Sequence, residues 1–526
     1  MYDCIIFTDV SDTLYSSIAI GAYKVAHSLR QNGYSCVVIN HFSEYTDAEF
    51  EKIVDFTVSQ QTRLIGFSTT FLRTIDATSE YQTKFQDLSP ESVFPQGKET
   101  ENFFLSKCRS RNPNIKTMAG GAKVNRNFSN KNIDYVCIGY SEESIIQLMN
   151  HLVHDEPIKN STRNLWGRII IEEPKQKTYD FANGSFEWNP EDILNHKVLP
   201  IEIGRGCIFQ CKFCSYPMNG KHNLDFVKAE NLLYKEFLTN YERFGITHYR
   251  IVDDTFNDHV EKINMMSRVI NKLPFQPILW AYTRLDLLTT RPGTLNQLYD
   301  MGVRAMFFGI ESFNPKTAKI VGKGFDCNKQ IETIQKIRSS YDISMHGSFI
   351  IGLPEESIDS SINSYRRIES GEIPLHSYGF VPLYINRING LYPSEFDKNW
   401  HKYGYEEVQE DSSKKHIKSA TIQGINNFSP ALNWKNSLTT FSEVVAVANQ
   451  IDKEIVVSDT MYLEGETAMQ IHGMNFPQFT FDKLRYSTRK NANLHAIEKV
   501  ACKVFSKQYK EQLFKVLEEK MHAEFV

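Results

Sequence analysis

The fold is decided by the stretch GRGCIFQCKFCSYP, Gly204–Pro217, which spaces Cys207, Cys211 and Cys214 as Cys-x3-Cys-x2-Cys. The apolar run before it, Pro200–Ile203, predicts a buried strand. Thiolates are soft ligands that select zinc, copper(I) or iron–sulfur clusters. A structural zinc site takes a closed set of protein ligands, and the next histidine, eight residues beyond the last cysteine, has no familiar zinc spacing. Three thiolates therefore favour a [4Fe–4S] cluster with one iron left open for substrate chemistry, and a zinc site is the alternative.

Length and composition describe an ordinary globular chain. Its 526 residues are too many for one core, and 41% hydrophobic and 23% charged residues are typical of a soluble protein. The net charge of −4 does not indicate a nucleic-acid surface. No apolar run is long enough to span a bilayer, and the N-terminus has neither the basic region nor the cleavage site of a signal peptide.

The cysteine count argues for a reducing compartment. Nine cysteines is an odd number, and six of them are isolated along the chain, which disfavours a disulfide framework and favours the cytoplasm. The isolated cysteines are Cys4, Cys36, Cys108, Cys137, Cys327 and Cys502.

Strand and helix patterns divide the chain into four parts. Residues 1–156 alternate strands and helices, which predicts a Rossmann-like parallel sheet domain of the α/β class. Residues 157–194 are irregular and are interpreted as a linker with a small hairpin, and 386–526 as a mostly helical C-terminal domain. Residues 195–385 alternate again. Their six predicted strands are Pro200–Ile203, His248–Val252, Ile278–Tyr282, Ala305–Gly309, Ser344–Ile351 and Ser377–Val381.

A helical pattern fills each gap between these six strands. A complete barrel of this kind has eight units, so six predict a partial (β/α)6 barrel. Chemistry in such folds lies at the carboxyl ends of the strands.

The cysteine loop, with Phe213 before the last cysteine and Gly204 and Gly206 at its start, resembles the radical SAM superfamily. The resemblance covers about residues 195–385. It implies a [4Fe–4S] cluster on Cys207, Cys211 and Cys214, and S-adenosylmethionine (SAM) bound to the open iron. It further implies reductive SAM cleavage to a 5′-deoxyadenosyl radical that abstracts hydrogen, with flavodoxin or ferredoxin as electron donor.

Other strand ends resemble the SAM-contacting segments of that family. They are VDDTFN after the second strand, AYTRLD after the third, GIES after the fourth and the segment IIGLPEE after the fifth. The resemblance implies SAM contacts by Phe213, Asp253, Asp254, Arg284, Glu311, Ser312 and Gly352. Each has a structural alternative: the acidic pair is a possible helix cap, and Glu311 a possible partner of Arg284.

The first domain resembles the cobalamin-binding domain that precedes the barrel in one radical SAM branch. The matching residues follow predicted strands and are Asp9, Ser11, Ser68, Thr70, Gly120, Gly121 and Gly139. Where a cobalt-ligating motif has Asp-x-His-x-x-Gly, this chain has Ser11 and Leu14, so histidine ligation at that position is excluded. The resemblance therefore leaves two alternatives. Either the enzyme binds cobalamin and transfers a methyl group to an unactivated carbon, or the first domain is degenerate and binds no cobalamin, and the radical SAM enzyme catalyses a rearrangement or an oxidation.

Two rivals are weaker. The tRNA methylthiotransferases resemble this barrel but need three N-terminal cysteines, and Cys4 and Cys36 fall inside predicted strands. A non-catalytic zinc or iron–sulfur module that recognises a partner is the second, and the acidic balance disfavours RNA as that partner. No motif identifies the substrate, a small molecule or a peptide.

Overall fold

The computed structural model describes residues 2–9, 18–70, 72, 97–121, 124–128, 130–173, 180–194, 198–216, 220, 224, 226–324, 326–383, 385, 392–407, 428–429 and 506–520. These residues form two compact units. The first contains 1–180, 184–196 and 498–526, and the second contains 181–183 and 197–497.

A seven-stranded sheet forms the centre of the first unit. Its strands are β1 (Cys4–Phe7), β2 (Cys36–Ile39), β3 (Leu64–Ser68), β4 (Lys116–Gly120), β5 (Tyr135–Ile138), β6 (Ser161–Arg163) and β7 (Ile169–Glu172). Its helices are α1 (Ile20–Gln31), α2 (Asp47–Thr57), α3 (Gly97–Arg111) and α4 (Ser144–His154).

The strand order of this sheet is β2-β1-β3-β4-β5-β7-β6. All neighbours are parallel except β6, which runs antiparallel to β7. The first five strands thus have a doubly wound order, in which ligands bind outside the strand ends near the reversal between β1 and β3. The parallel α/β domain predicted from the sequence is confirmed. The antiparallel pair β6 and β7 lies within residues 157–194 and extends this sheet.

Every residue of strands β1, β2 and β3 is buried, because helices cover both faces of the sheet. A 15-residue helix at 506–520 also belongs to this unit, and its Tyr509 hydroxyl oxygen accepts a hydrogen bond from the Asn40 amide at 2.8 Å. This helix lies within residues 386–526, the region that the sequence predicts to be mostly helical.

A six-stranded parallel sheet forms the second unit, with its strands in chain order. They are β8 (Val198–Ile201), β9 (His248–Ile251), β10 (Ile278–Thr283), β11 (Val303–Glu311), β12 (Ser344–Ile351) and β13 (Ser377–Pro382). The connecting helices are α5 (Glu230–Phe244), α6 (Val260–Ile270), α7 (Leu285–Thr290), α8 (Gly293–Asp300), α9 (Pro315–Val321), α10 (Cys327–Ser340) and α11 (Ile358–Glu369). All six predicted strands are present within a few residues, whereas the short helices α7 and α9 were not predicted.

The C-terminal region is described only in part. A short helix α12 (Glu395–Asn399), a 3-10 turn (Trp400–Tyr403) and the antiparallel pair β14 (Glu406–Glu407) and β15 (Phe428–Ser429) follow the second sheet. The predicted charged segment Gln409–Lys418 and the helix expected at Leu438–Gln450 lie outside the described residues. Among the described helices, no helix is both long and apolar enough to cross a membrane.

Candidate functional site

The three cysteines lie on a loop that leaves β8. Cys207 is 7% exposed, and Cys211 and Cys214 are half-buried. The loop folds back on itself, because the Cys214 amide donates to the Cys211 carbonyl at 2.9 Å and the Gly220 amide donates to the Cys207 carbonyl at 2.8 Å. Gly206 has φ +76°, which explains the glycine immediately before the first cysteine.

Asp253, after β9, fixes the start of this loop. One carboxylate oxygen, Oδ1, accepts from the amides of Ile203 and Gly204, both at 2.9 Å. The other, Oδ2, lies 3.4 Å from the ammonium of Lys262, which also contacts Asp258 at 2.6 Å. Burial raises the pKa of Asp253, and the Lys262 ammonium opposes that rise. Asp253, for which the resemblance implies a SAM contact, therefore holds the backbone that leads to Cys207.

The next residue, Asp254, is half-buried and begins a turn in which the Thr255 hydroxyl donates to its carbonyl at 2.8 Å. The Thr255 hydroxyl also lies 3.4 Å from the sulfur of Cys207. The end of β9 thus contacts both the start of the cysteine loop and its first thiol.

Arg284, after β10, contacts the second cysteine. Its Nη1 donates to the Sγ of Cys211 at 3.2 Å, and its Nη2 donates to the Gly322 carbonyl at 3.1 Å. The carboxylate of Asp286 accepts from Nε at 3.0 Å and from Nη2 at 2.6 Å. The guanidinium also lies over the Phe209 ring at 3.8 Å. These contacts hold the Arg284 cation from several sides, directly against the second cysteine of the loop.

Glu311 ends β11 in a strained conformation. Its φ is +67°, and the register of β11 against β12 shifts between Gly309 and Glu311. Its carboxylate pairs with Lys323 at 3.2 Å, not with Arg284, so the pairing considered from the sequence is wrong. The Lys323 ammonium also lies 5.8 Å from the Phe213 ring centroid.

Phe213 itself packs against an apolar cluster in the second unit. The buried members of this cluster are Val321, Leu353, Leu383, Ile385, Phe396 and Tyr405. Trp400 and Tyr403, which are partly buried, pack against it as well.

Ser312 joins a buried carboxyl that the sequence reasoning missed. The Ser312 hydroxyl donates to Glu356, whose other oxygen accepts from Ser360 at 2.6 Å. Burial raises the pKa of Glu356, although these hydroxyl donors oppose the rise. The sequence has two adjacent carboxylates here, Glu355 and Glu356, and the second is the buried one. Glu355 has φ +61°, which turns the chain at this point.

Gly352, after β12, has φ +89° and offers its carbonyl to the Tyr405 hydroxyl at 2.7 Å. This hydrogen bond ties the end of the fifth strand of the sheet to the segment that follows α12. The glycine predicted from the sequence is thus required by the left-handed turn.

A row of large side chains crosses one face of the second sheet. Tyr282 packs against Phe307 with centroids 4.9 Å apart, and Phe307 stacks on His346 at 4.5 Å. Arg250 lies over the Trp280 ring at 4.6 Å. Neighbouring Tyr249 contacts α5 through Phe237, so the row occupies the opposite sheet face. The alternation Trp280, Tyr282 was a signal for this face that the sequence reasoning did not use.

The predicted cobalamin residues of the first unit follow neighbouring strands. Asp9 is buried, and its Oδ2 accepts from the Ser43 amide at 3.2 Å. Ser68 ends β3 and is 9% exposed, and Thr70 is half-buried in the turn that follows. Gly120 ends β4, and Ser11 lies outside the described residues. Asp9 therefore follows β1, and small or hydroxyl residues end or follow β3 and β4, next to the reversal of strand order between β1 and β3.

Two further glycines in this unit have left-handed backbones. Gly121 has φ +102°, and an added Cβ would lie 3.1 Å from the amides of Thr69 and Thr70. Gly139 has φ +90° after β5. At Gly121 the glycine allows the ends of β3 and β4 to approach closely.

The donor set of the cysteine loop fits an iron–sulfur cluster. The loop offers three thiols, the soft ligands such clusters take, and one of them accepts a guanidinium hydrogen bond. Within the described ranges, no group of three or more His, Cys, Asp or Glu side chains is gathered around a single-ion site. A cubane cluster does not require such a group, since each thiolate binds a different iron.

Two curated proteins with detectable similarity are methyl-transferring enzymes by name. The chain is 24% identical over 249 residues to an uncharacterized methyltransferase of Pyrococcus horikoshii, covering 45% of this chain and 53% of that protein. It is 23% identical over 251 residues to the hopanoid C-2 methylase of Rhodopseudomonas palustris, covering 46% and 45%. The chain thus spans about half the length of these curated relatives.

Among solved structures, the radical SAM methyltransferase TsrM of Kitasatospora setae, with cobalamin and a [4Fe–4S] cluster bound, superposes with a TM-score of 0.63 at 13% identity, covering 96% of this chain and 100% of that one. The cobalamin-dependent SAM radical enzyme OxsB superposes with a TM-score of 0.52 at 14% identity, covering 98% and 72%. These likenesses show the shared fold. Residues 201–368 match the family model of the radical SAM superfamily, and they contain the cysteine loop and the strand ends described above. Residues 201–368 of this chain are thus a radical SAM domain.

Proposed function

We propose that the chain is a radical SAM enzyme whose [4Fe–4S] cluster is held by Cys207, Cys211 and Cys214. The observation that carries this proposal is the cysteine loop at the carboxyl end of the first strand of the second sheet, with Arg284 hydrogen-bonded to Cys211. The chemistry that such a cluster supplies when bound is one-electron reduction of SAM, which breaks the C5′–S bond to give methionine and a 5′-deoxyadenosyl radical. A low-potential donor such as flavodoxin or ferredoxin delivers the electron.

The residues at the strand ends have the tasks of holding SAM and keeping water away. Glu311, Ser312 and Gly352 follow adjacent strands β11 and β12, so they meet at one edge of the sheet. Strained backbone at Glu311 is typical of a functional site. We assign SAM contacts to these residues together with Asp254 and Phe213. Asp253 acts indirectly, by holding the start of the cysteine loop, because its oxygens are engaged by the loop amides and by Lys262.

Cobalamin is the proposed second cofactor of the first unit. Support comes from the doubly wound strand order and from small residues after β3, β4 and β5, which let a bulky ring approach backbone. TsrM, which has cobalamin bound in its structure, and OxsB, a cobalamin-dependent enzyme, both share the fold of this chain. Cobalamin here would be bound without a histidine ligand at Ser11, and its chemistry is methyl transfer to an unactivated carbon.

The row of aromatic side chains is the proposed substrate-facing surface. Tyr282 and Phe307 are half-buried on the sheet face away from α5, and Arg250 lies beside Tyr282 with its Nη2 3.3 Å from the phenol oxygen. Such a surface suits a flat, largely apolar group. A substrate of that class is the second part of the proposal.

The deciding experiment is anaerobic reconstitution with iron, sulfide and hydroxocobalamin, followed by desalting and quantification of iron and corrinoid. Cys211→Ala is expected to lose the cluster absorbance and SAM cleavage. Cys327→Ala is the matched control, because this buried thiol begins α10 and lies outside the cysteine loop. Retained cleavage in Cys211→Ala contradicts the cluster assignment.

The corrinoid result separates the remaining alternatives. Stoichiometric corrinoid with a loaded cluster supports the methyltransferase reading. A loaded cluster without corrinoid supports a radical SAM enzyme with a cobalamin-free first domain, which then does rearrangement or oxidation chemistry. Zinc in place of iron supports a non-catalytic metal module.

A further inference from the structure

Arg284 and Asp286 form a pair whose geometry points at the cluster rather than at a small ligand. The Arg284 side chain is 5% exposed and that of Asp286 is 15% exposed. Nε donates to Asp286, the two Nη2 hydrogens serve Asp286 and the Gly322 carbonyl, and Nη1 donates to the Cys211 sulfur. One Nη1 hydrogen is left, so the guanidinium has little capacity to hold a SAM carboxylate in the bidentate manner that arginine favours.

The pair is itself fixed by the surrounding backbone. Asn257 holds the main chain of Arg284, since its Oδ1 accepts from the Arg284 amide at 2.8 Å and its Nδ2 donates to the Arg284 carbonyl at 3.0 Å. Asp286 Oδ2 accepts from the Gly324 amide at 3.0 Å. The Phe209 ring, from the cysteine loop, covers one face of the guanidinium. The orientation of the Nη1–H toward Cys211 is therefore set by contacts with Asn257, Asp286 and Phe209.

Hydrogen bonds to ligand sulfurs are among the factors that set the reduction potential of an iron–sulfur cluster. Reduction adds negative charge to the cluster and its thiolates. A charge-assisted N–H···S bond strengthens as that charge increases, so it stabilises the reduced form more than the oxidised form. The carboxylate of Asp286 opposes this effect, because it places a negative charge next to the guanidinium.

We propose that Arg284, oriented by Asp286, is a positioning residue that hydrogen-bonds the Cys211 thiolate and makes the reduction potential of the cluster less negative. This rests on the proposed function, since it presumes the cluster on Cys207, Cys211 and Cys214. It assigns the work of Arg284 to the reduction step that precedes SAM cleavage. It also gives the two members of one ion pair opposite effects on one measurable quantity.

The test is a redox titration of the anaerobically reconstituted full chain, with dithionite and mediators, followed by electron paramagnetic resonance of the reduced cluster. Arg284→Gln is expected to lower the ratio of reduced to oxidised cluster about tenfold at a fixed potential, which is a shift of about 59 mV to more negative values for one electron. Asp286→Asn is expected to shift the potential in the opposite direction, because it removes the opposing charge and keeps an acceptor for the guanidinium.

The matched controls are Arg30→Gln and Asp192→Asn. These residues form a similar pair, with Nη2 to Oδ1 at 2.9 Å and side chains 14% and 2% exposed, and they belong to the first unit. They are expected to leave the potential unchanged. A general loss of packing would not shift the reduction potential in opposite directions for the two variants of one pair.

Each outcome decides between the claims. A wild-type chain that forms no iron–sulfur cluster contradicts the proposed function. A wild-type cluster whose potential is unchanged in loaded Arg284→Gln overturns the inference and leaves the function standing. If Arg284→Gln does not load iron, Asp286→Asn decides, and an unchanged or more negative potential in that variant overturns the inference.

Discussion

Substitutions of Asp253, at the carboxyl end of β9, distinguish a structural role of this residue from a role in binding SAM. Its Oδ1 accepts from two buried amides at 2.9 Å, and its Oδ2 faces Lys262 at 3.4 Å. Asp253→Ala leaves both amides without an acceptor, at about 1–3 kcal/mol each. The variant also loses the ion pair between Asp253 and Lys262. Because Lys262 keeps Asp258 as a partner at 2.6 Å, this loss costs less than the ~3–5 kcal/mol of an uncompensated buried charge. The expected loss is about 4 kcal/mol.

Asp253→Asn is the matched variant. The asparagine carbonyl oxygen can still accept from both amides, so the expected loss is only about 1–2 kcal/mol for the weaker, uncharged hydrogen bonds. Because the chain has two compact units, one global unfolding free energy is not well defined. Hydrogen exchange at the amides of Ile203 and Gly204 measures the local effect directly, and about 4 kcal/mol corresponds to a roughly 1,000-fold loss of protection.

Iron content and SAM affinity complete the test. We expect Asp253→Ala to load less iron, because the backbone that leads to Cys207 loses its anchor, and Asp253→Asn to load iron and bind SAM as the wild type does. Unchanged protection in Asp253→Ala would refute the clamp. Normal protection with lost SAM binding in Asp253→Asn would show that Asp253 acts on the ligand, as the sequence suggested.

Three further expectations concern stability. Burial lowers the pKa of His346 to about 3, so the folded state keeps the imidazole neutral, whereas the unfolded state binds a proton below about pH 6.5. The contribution of His346 to stability is therefore full above that pH and falls by up to ~1.4 kcal/mol per pH unit below it. His346→Gln should flatten the profile of urea midpoints between pH 7 and 4. Tyr405→Phe should cost about 1–2 kcal/mol in thermal unfolding, because the buried Gly352 carbonyl loses its donor; an unchanged midpoint would contradict this. Gly302→Ala should abolish soluble protein or lower the melting temperature strongly, since φ is +94° and an added Cβ would lie 1.9 Å from a backbone oxygen, whereas Gly293→Ala, with no atom within 4 Å, should be neutral or slightly stabilising.

The architecture of the second unit could be predicted because its signals are local. Apolar runs such as Ser344–Ile351 and the spacing of the three cysteines are both properties of short stretches, and the observed strand has the same bounds. Parallel strands separated by helices then place their carboxyl ends at one edge without further information. The position of each candidate residue at a strand end was therefore accessible from the sequence.

The partners of those residues were not accessible in the same way. Which of two carboxylates meets Arg284 depends on the irregular register between Gly309 and Glu311 and on the positive φ of Glu311. These features direct Glu311 to Lys323 and leave Asp286 for the arginine. Charge and spacing along the chain do not encode such a turn. The same limitation applies to the segment IIGLPEE, whose letters do not show that Glu356 is the buried carboxylate.

The central claim is that three cysteines hold a [4Fe–4S] cluster with one iron open to SAM. Its most direct test is electron paramagnetic resonance of the reduced, anaerobically reconstituted protein with and without SAM, alongside iron and sulfide quantification. The account predicts about four irons and four sulfides per chain, and a spectrum that changes when SAM binds the open iron. A chain that holds zinc and no iron, or a loaded cluster whose spectrum does not respond to SAM, would contradict it.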